Sequence, residues 1–231
     1  LAAAAGFEKC SLDLMFGLPG QTLQDWKQDL EQALTLPVDH LSVYGLTIEP
    51  KTVFHRKMRQ GDLDIPGDEE SADFFKTAHH TLQNAGFEHY EVSNYAKPGH
   101  RSRHNCNYWS GANYLGIGPS AHSYLDGTRY HNPASNGMYM QQVQRGKMPA
   151  QKESINREEA WNEMLMTALR QKEGLDKEKV STLFGTDAWE TLQRQLHTFP
   201  SEWFVSYEPI ALSCEGWLLM DQLLVALFRT K

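Results

Sequence analysis

Several features are scarce in this 231-residue sequence, and each scarcity excludes a class of protein. No apolar run approaches the roughly 20 residues that a membrane-spanning helix needs, and no signal peptide is visible. Basic residues are outnumbered, with 22 Lys and Arg against 29 Asp and Glu, and a net charge of −7 argues against a nucleic-acid partner. The hydrophobic content of 40% is that of an ordinary globular protein with one large domain or two modest ones.

Cysteine is also scarce. Cys10, Cys106 and Cys214 are far apart and odd in number, which suits a reducing compartment better than a disulfide framework, and we expect a cytoplasmic protein. No CxxC pair or other close cluster of cysteines is present. This chain by itself therefore offers no obvious iron–sulfur site.

The start of the sequence has the pattern of a helix end. It opens on Leu1 rather than Met, and Ala2–Ala5 followed by Gly6 is typical of a helix that stops before a strand. We therefore expect the chain to begin in the middle of a fold and to be a fragment.

Residues 90–124 are the stretch richest in chemistry. They combine histidine, asparagine and aromatic side chains with several glycines; the histidines are His100, His104 and His122. Polar and aromatic groups around glycines are typical of a loop-rich site wall, where the backbone approaches a ligand and flat side chains contact it.

The segments before this stretch alternate between strand and helix patterns. The predicted elements are strands at Cys10–Phe16, Leu41–Ile48 and Phe87–Ser93, and helices at Thr22–Leu36 and Glu69–Ala85. Mostly apolar strands that alternate with helices predict an α/β fold with a parallel sheet, and residues 49–68 between them are expected to be irregular. Ligands of such folds bind at the carboxyl ends of the strands, where the stretch 90–124 begins.

The second half of the chain has a different pattern. Residues 128–153 are polar and predict a connection with one short helix. The predicted elements beyond it are helices at Glu158–Arg170, Lys177–Phe184, Asp187–Thr198 and Gly216–Phe228, and a hairpin of Trp203–Tyr207 and Ile210–Leu212. This order is typical of a small, α-rich, winged-helix-like module. It contains no basic recognition helix, so packing or substrate covering is the expected use.

Each candidate residue has two possible roles, one in binding a ligand and one in the structure alone. Asp13, inside an apolar strand, either contacts a polar ligand or is bonded to neighbouring groups. His104 and His122 are candidate metal or haem ligands, or ordinary surface histidines. Cys106 is a thiolate ligand or a small buried apolar residue. The turn Gly17–Thr22 holds an anion on its amides or is a plain turn.

Five segments occur in the order of a known family. They are Leu12–Thr22 (LDLMFGLPGQT), Tyr44–Pro50 (YGLTIEP), Tyr90–Gly99 (YEVSNYAKPG), His104–Trp109 (HNCNYW) and Gly116–Ser123 (GIGPSAHS). They resemble radical S-adenosylmethionine proteins related to oxygen-independent coproporphyrinogen III oxidase. The HNxxYW motif is the specific one, and it is similar to the haem-chaperone branch of that family rather than to the decarboxylating oxidase.

The resemblance implies a domain organisation and a set of cofactors. Residues 1–127 would be the second half of a partial (β/α) barrel, 128–153 a connection, and 154–231 the small C-terminal domain of the family. The family uses a [4Fe–4S] cluster and S-adenosylmethionine. The cysteines that hold the cluster would belong to the half that is missing, so we expect that this fragment does not cleave S-adenosylmethionine.

The resemblance also implies site residues. Asp13 matches an S-adenosylmethionine contact, and Thr47 and His122 occupy aligned positions with different residue types. The HNxxYW residues assigned to haem binding are His104, Asn105, Tyr108 and Trp109, with His104 as the candidate for contact with the iron.

The expected function is that of a haem chaperone, which binds haem and passes it to haem-accepting proteins. Because half a barrel exposes strand edges, we expect the isolated fragment to be poorly stable or oligomeric, with a homodimer as one such state. The enzyme alternative is coproporphyrinogen III dehydrogenase, which decarboxylates two propionates to vinyl groups; the HNxxYW motif argues against a true oxidase. A third alternative is a barrel hydrolase with a metal at His104 and His122, although the chain has no HExxH motif.

Overall fold

The structure is a computed structural model that describes residues 3–146 and 151–229. The chain forms two compact units. The first unit contains the residues up to Arg101 and Leu169–Leu223, and the second contains Ser102–Ala168 and the residues after Leu223. The domain boundaries implied by the resemblance remain a prediction.

The first unit is built on a four-stranded sheet with the order β1-β2-β4-β3. Its strands are β1 (Ser11–Phe16), β2 (His40–Gly45), β3 (Glu88–Glu91) and β4 (Asn94–Ala96). The first two strands are parallel, as predicted, but β4 is antiparallel to both β2 and β3. The three predicted strands therefore run in one direction, and the additional strand β4 runs antiparallel between β3 and β2, because the chain reverses after β3.

The reversal between β3 and β4 is held by a buried carboxylate. Glu91 is fully buried, and its side chain accepts hydrogen bonds from the Ser93 N–H and from the Asn94 side-chain amide. Arg170 donates to the other carboxylate oxygen of Glu91. The charge of Glu91 is thus both hydrogen-bonded and paired, which a buried carboxylate requires.

The edge strand β1 differs from its prediction as a buried strand. Its side chains alternate between exposed and half-buried until Phe16, so Ser11, Asp13 and Met15 lie on an exposed face. The alternation follows from the two-residue period of a strand that has one face covered.

The helices of this sheet carry its core. They are α1 (Leu23–Leu34), α2 (Val53–Gln60) and α3 (Asp68–Asn84). A capping box starts α1, with Thr22 and Asp25 bonded reciprocally. Trp26 of α1 is fully buried and donates from its indole N–H to the Phe74 carbonyl oxygen of α3 at 2.9 Å. Burial of a side chain this large contributes at least about 1.5–3 kcal/mol.

The helix α2 was not predicted, since residues 49–68 were expected to be irregular. Its end signals are nevertheless in the sequence. The Thr52 hydroxyl accepts the N–H of His55, and Gly61 ends the helix with a φ of 76°. No side chain of α2 is buried, and its apolar residues Val53, Phe54 and Met58 are exposed.

The C-terminal part of the first unit has the predicted order of two helices, a hairpin and a helix. Its elements are α7 (Lys177–Phe184), α8 (Thr186–Leu196), β8 (Phe204–Tyr207), β9 (Ile210–Leu212) and α9 (Cys214–Leu218). The predicted single helix over residues 216–228 is instead two helices, α9 and α10 (Met220–Leu227). They separate at Leu219, whose φ of −108° and ψ of 14° leave the helical range.

The second unit contains a three-stranded antiparallel sheet and several helices. The strands are β5 (His122–Leu125), β6 (Thr128–His131) and β7 (Gln151–Glu153), and the helices are α4 (Arg103–Ser110), α5 (Asn136–Gln144) and most of α6 (Arg157–Leu169). Residues 128–153 thus contain the expected short helix and also two strands that were not predicted. The turn between β5 and β6 is Asp126-Gly127, and both residues have a positive φ.

Within residues 3–146 and 151–229, none of the helices is long and apolar enough to cross a membrane.

Candidate functional site

The HNxxYW motif lies on the helix α4, inside the stretch that was expected to be a loop-rich wall. The Ser102 hydroxyl caps the helix by accepting the N–H of Asn105 at 3.2 Å, and Gly111 ends it with a φ of 74°. The expectation of a loop is wrong for residues 103–110, which form a helix, and the reason lies in the residues at its two ends. Serine and glycine bound an eight-residue helix whose apolar residues are too few to give a periodic pattern.

The helical period divides the motif between two faces. His104 and Tyr108 are four residues apart and exposed, as are their neighbours Arg103 and Asn107. We call Arg103, His104, Asn107 and Tyr108 the outer face of α4.

The other two motif residues point differently. Asn105 and Trp109 are also four residues apart, and both are half-buried. Residues on the outer face are available to a ligand, whereas Asn105 and Trp109 are placed to hold the helix on its unit.

An aromatic row continues from the outer face of α4. The rings of His104 and Tyr108 are perpendicular with centroids 5.0 Å apart, and those of Tyr108 and Tyr114 are 4.6 Å apart. Tyr114 lies 6.3 Å from Tyr124 of β5, and these two residues exchange both backbone hydrogen bonds. Burial raises the pKa of Tyr114, and the charge of Arg129 partly opposes this. Edge-to-face contacts of this kind stabilise a fixed arrangement of rings.

The loop after Tyr114 is held by buried polar side chains. The Gly116 N–H donates to Ser123 Oγ at 2.9 Å, and the Gly118 N–H donates to Tyr139 Oη at 3.1 Å. Asn132, which is 5% exposed, donates from Nδ2 to the carbonyl oxygens of Gly116 at 3.2 Å and of Gly118 at 2.8 Å. Four hydrogen bonds therefore fix a loop of three residues.

Gly116 could not be another residue in this arrangement. A Cβ added there would lie 2.1 Å from the carbonyl oxygen of His122, which is part of the backbone and cannot move aside alone. The close approach of the two backbones keeps the loop against β5.

Apolar side chains at this loop are exposed. Leu115 is 60% exposed and Ile117 is 82% exposed, and Tyr108 of the outer face is 45% exposed. We call Leu115 and Ile117 the apolar tip. A fixed loop that presents large apolar side chains to solvent is typical of a surface that binds an apolar ligand or a partner.

The residues that hold this loop were not predicted as its supports. Ser123 and Asn132 are both buried; Ser123 ends the segment GIGPSAHS, whereas Asn132 is a single polar residue in the segment that was expected to be a connection. The only signal was the GIGP pattern itself, since glycines on either side of an isoleucine indicate a loop.

The residues matched to S-adenosylmethionine contacts are all exposed. Asp13 lies on the exposed face of β1 opposite Ser42, and Thr47 follows the end of β2. His122 opens β5 in the second unit, where its ring centroid lies 6.0 Å from that of His131. Because Asp13 is exposed, its carboxylate needs no buried partner, unlike the expectation for a buried strand.

The charge of Asp13 affects the pKa of His40. Burial lowers the pKa of His40, and the charge of Asp13 partly offsets that lowering. The His40 side chain is bonded to the Tyr90 hydroxyl at 2.7 Å and to Ser11 Oγ at 2.9 Å, so it acts as a buried connector of β1, β2 and β3.

In the part of the chain that the structure describes, no three or more His, Cys, Asp or Glu side chains are grouped so that they could hold a metal ion. Cys10, Cys106 and Cys214 form no disulfide bond with one another. The described residues do not fit a [4Fe–4S] cluster, which needs several thiolates together.

The fold and the C-terminal part define a class of protein. Residues 155–219 match the HemN C-terminal domain. The structure resembles coproporphyrinogen III oxidase (HemN) from Escherichia coli, a radical SAM enzyme, with a TM-score of 0.73, 20% sequence identity, and coverage of 98% of this chain and 56% of that chain. The predicted fold class, a partial radical SAM barrel with a small C-terminal domain, is confirmed.

Sequence similarity points to one group of relatives. Proteins named heme chaperone HemW match from Bacillus subtilis, at 38% identity over 80% of this chain and 49% of the relative, and from Synechocystis, at 36% identity over 98% and 60%. The protein of that name from Escherichia coli is 45% identical over 53% of this chain and 31% of its own length. The chain is therefore similar to proteins named heme chaperone HemW along most of its length. It spans about half the length of the curated relatives that it matches.

Proposed function

We propose that the protein containing this chain is a haem chaperone, which binds haem and passes it to haem-accepting proteins. The observation that carries the proposal is the outer face of α4, where His104 and Tyr108 are exposed together at a ring distance of 5.0 Å. A neutral imidazole is a common ligand of haem iron, and an aromatic ring packs well on a flat macrocycle. The relatives named heme chaperone HemW support the same function.

The apolar tip supplies the second requirement of a haem site. Haem is a large, flat and mostly apolar molecule, and Leu115 and Ile117 expose apolar surface that a ligand would cover. Each Å² of apolar surface removed from water contributes about 25 cal/mol, so this surface favours a bound macrocycle. Because four hydrogen bonds already fix the loop, little conformational entropy would be lost when the ligand binds.

The roles of the motif residues follow from their faces. His104 contacts the iron, and Tyr108 packs on the macrocycle. Asn105 and Trp109, which are half-buried, support the helix from its other side. Of the two aromatic residues that the resemblance assigns to haem binding, Tyr108 therefore packs on the macrocycle and Trp109 does not.

The family implies S-adenosylmethionine and a [4Fe–4S] cluster as cofactors. We assign S-adenosylmethionine contacts to Asp13, Thr47 and His122 on the resemblance alone. The exposed carboxylate of Asp13 is suited to accept a hydrogen bond from an amino or hydroxyl group. We derive no step through the cluster, because the described residues provide no group of thiolates for it.

The location and assembly of the protein are parts of the same proposal. The net charge of −7 and the scattered cysteines favour a cytoplasmic protein without a nucleic-acid partner. The strand β1 ends the sheet order of this chain, and an open strand edge favours assembly of the isolated fragment, for which a homodimer is the simplest form.

A transfer experiment tests the chaperone function. The full-length protein, loaded with haem, is mixed with apomyoglobin as an acceptor, and the absorbance spectrum of the acceptor is followed. The parent should load and donate haem, whereas His104→Ala should load poorly. His80→Ala, which removes an exposed histidine of the first unit, is the matched control and should behave as the parent. Equal loading and donation by His104→Ala would overturn the proposed site.

The structural similarity to coproporphyrinogen III oxidase supports one alternative function, oxidative decarboxylation of coproporphyrinogen. The full-length protein would then convert the propionates of coproporphyrinogen to vinyl groups. Incubation with coproporphyrinogen and S-adenosylmethionine under reducing, oxygen-free conditions tests this. Product formation would favour the enzyme, and its absence alongside haem transfer would favour the chaperone.

A further inference from the structure

A guanidinium group lies on the outer face of α4 beside the candidate iron contact. Arg103 is the first residue of α4 and directly precedes His104, and its side chain is exposed. Ser102 caps the helix and thereby fixes where Arg103 leaves the backbone. The remaining members of the outer face, Asn107 and Tyr108, carry no positive charge.

Arg103 is not neutralised in the way that Arg129 of the same unit is. Arg129 is paired with Glu163 at 2.7 Å and with Glu153 at 3.8 Å. Within residues 3–146 and 151–229, Arg103 forms no ion pair. Its charge is therefore available to a ligand.

The cargo supplies a matching charge. Haem carries two propionate groups, which are carboxylates at neutral pH, while the protein has a net charge of −7 and would repel them overall. A site made only of imidazole, phenol and aliphatic groups would leave both propionates without a cation. A guanidinium group binds a carboxylate through two parallel hydrogen bonds, which gives it an advantage over other cations.

We propose that Arg103 binds a haem propionate and so determines the preference of this site for porphyrins that carry free carboxylates. The assignment rests on the proposed function, because it takes haem as the ligand of the outer face. His104 and Tyr108 then hold the macrocycle, and Arg103 fixes its orientation by binding a propionate at its edge. The macrocycle would thus enter with a propionate towards the first turn of α4.

The test compares two ligands on the full-length protein. Affinities for haem and for haem dimethyl ester, which lacks the carboxylates, are measured by absorbance titration for the parent, Arg103→Gln and Arg103→Lys. The parent should bind haem more tightly than the ester. Arg103→Gln should lose about 10- to 100-fold in affinity for haem, the worth of a hydrogen bond to a charged group, and keep its affinity for the ester. Arg103→Lys should be intermediate.

A control variant separates this role from a general charge effect. Arg145 is an exposed arginine that directly follows α5. The substitution Arg145→Gln changes the net charge by the same amount as Arg103→Gln and should leave the affinities for haem and for the ester unchanged. Equal losses for haem and ester in Arg103→Gln, no loss at all, or an equal loss in Arg145→Gln would each overturn the proposal.

The same titrations distinguish failure of this inference from failure of the haem site. His104→Ala should weaken haem and ester alike if the outer face is the haem site. If His104→Ala does so while Arg103→Gln does not discriminate between the ligands, the haem site stands and the role of Arg103 is wrong. If neither variant changes either affinity, the proposed site itself is wrong.

Discussion

His104 and Tyr108 form one exposed pair on α4, with perpendicular rings whose centroids are 5.0 Å apart. Asn105 and Trp109 form a second pair with the same spacing, and both are half-buried. One six-residue motif therefore serves two purposes, because a helix turns successive residues to different sides. The exposed pair is available to a ligand and the half-buried pair supports the helix.

Removal of the Tyr108 ring should weaken haem binding without preventing folding. We expect Tyr108→Ala to lose about 2- to 12-fold in affinity, since an aromatic contact contributes about 0.5–1.5 kcal/mol beyond its buried area. Tyr108→Phe keeps the ring and should bind as the parent does. Absorbance titration of the full-length variants measures this, and a Tyr108→Ala protein with the affinity of the parent would contradict the packing role.

Asn132 should prove important although it lies outside every motif. Asn132→Ala leaves the carbonyl oxygens of Gly116 and Gly118 without their side-chain donor, and we expect a loss of about 1–3 kcal/mol in the free energy of unfolding. The apolar tip loses its support, so haem affinity should fall as well. Urea denaturation and haem titration check the two effects. Asn136→Ala changes an exposed asparagine nearby and should have little effect on affinity; a fall as large as that of Asn132→Ala would argue against a specific role.

The buried pair of His79 and His89 should make the first unit sensitive to acid. Their Nδ1 atoms are 2.7 Å apart and share a hydrogen bond, and the His89 ring stacks on Tyr95 at 3.9 Å. Burial lowers the pKa of His89 to about 3. The hydrogen bond to the Val92 carbonyl partly raises this pKa, and the charge of His79 lowers it further. Above pH 6.5 the imidazole is neutral in both states. Below pH 6.5 the unfolded chain binds a proton that the folded chain does not, so stability falls as the pH drops towards about 3.

The measurement for this pair is the free energy of unfolding against pH. His89 alone should contribute a slope of up to about 1.4 kcal/mol per pH unit inside that window, and His89→Phe should remove that contribution. His80→Gln changes the exposed neighbour and should leave the slope as it is. An unchanged slope in His89→Phe would show that His89 is protonated in the folded protein.

Glu88 should stabilise the first unit at neutral pH through its cationic neighbours. Arg101 donates to it at 2.9 Å and Lys172 at 2.8 Å, and the hydrogen bond from Arg101 is the main cause that lowers the pKa of Glu88 from 4.5 to about 2. The stabilisation is complete above pH 4.5 and is lost as the pH falls through about 2.

Glu88→Gln should therefore cost about 1–2 kcal/mol at pH 7 and less at pH 2. The matched control is Glu173→Gln, which removes a more exposed partner of Arg101 and should cost less than about 1 kcal/mol. Denaturation curves at the two pH values measure both. A loss in Glu88→Gln that is the same at pH 2 and pH 7 would contradict the ionic origin of the effect.

Elements with local signals were predicted well from the sequence. The helix α1 was predicted to begin at Thr22, which is its N-cap, and α7 was predicted at Lys177–Phe184, the range that it occupies. The β8–β9 hairpin around Glu208-Pro209 was also predicted within a residue. These features depend on residues close in sequence, so the pattern alone contains them.

Features that depend on distant partners were missed. The insertion of β4 between β2 and β3 depends on pairing of Leu41 with Tyr95, which no local pattern specifies. The strand β6 was taken as part of a connection, although Asp126-Gly127 is a hairpin signal that could have located it.

The candidate site was only partly predictable. Its motif could be recognised, but the division of the motif into two faces required the helix, and the role of Asn132 required the fold. Arg103 attracts no notice in the sequence, and its significance comes from its position on the outer face of α4.

The central claim is that haem binds at the outer face of α4. The most direct measurement is an absorbance titration of haem into the full-length protein, its His104→Ala variant and the His80→Ala control. The account predicts saturable, stoichiometric binding in the parent and the control, and at least a tenfold weaker affinity with an altered haem spectrum in His104→Ala, roughly 1.4 kcal/mol or more. Binding of equal affinity and identical spectrum in all three proteins would contradict it.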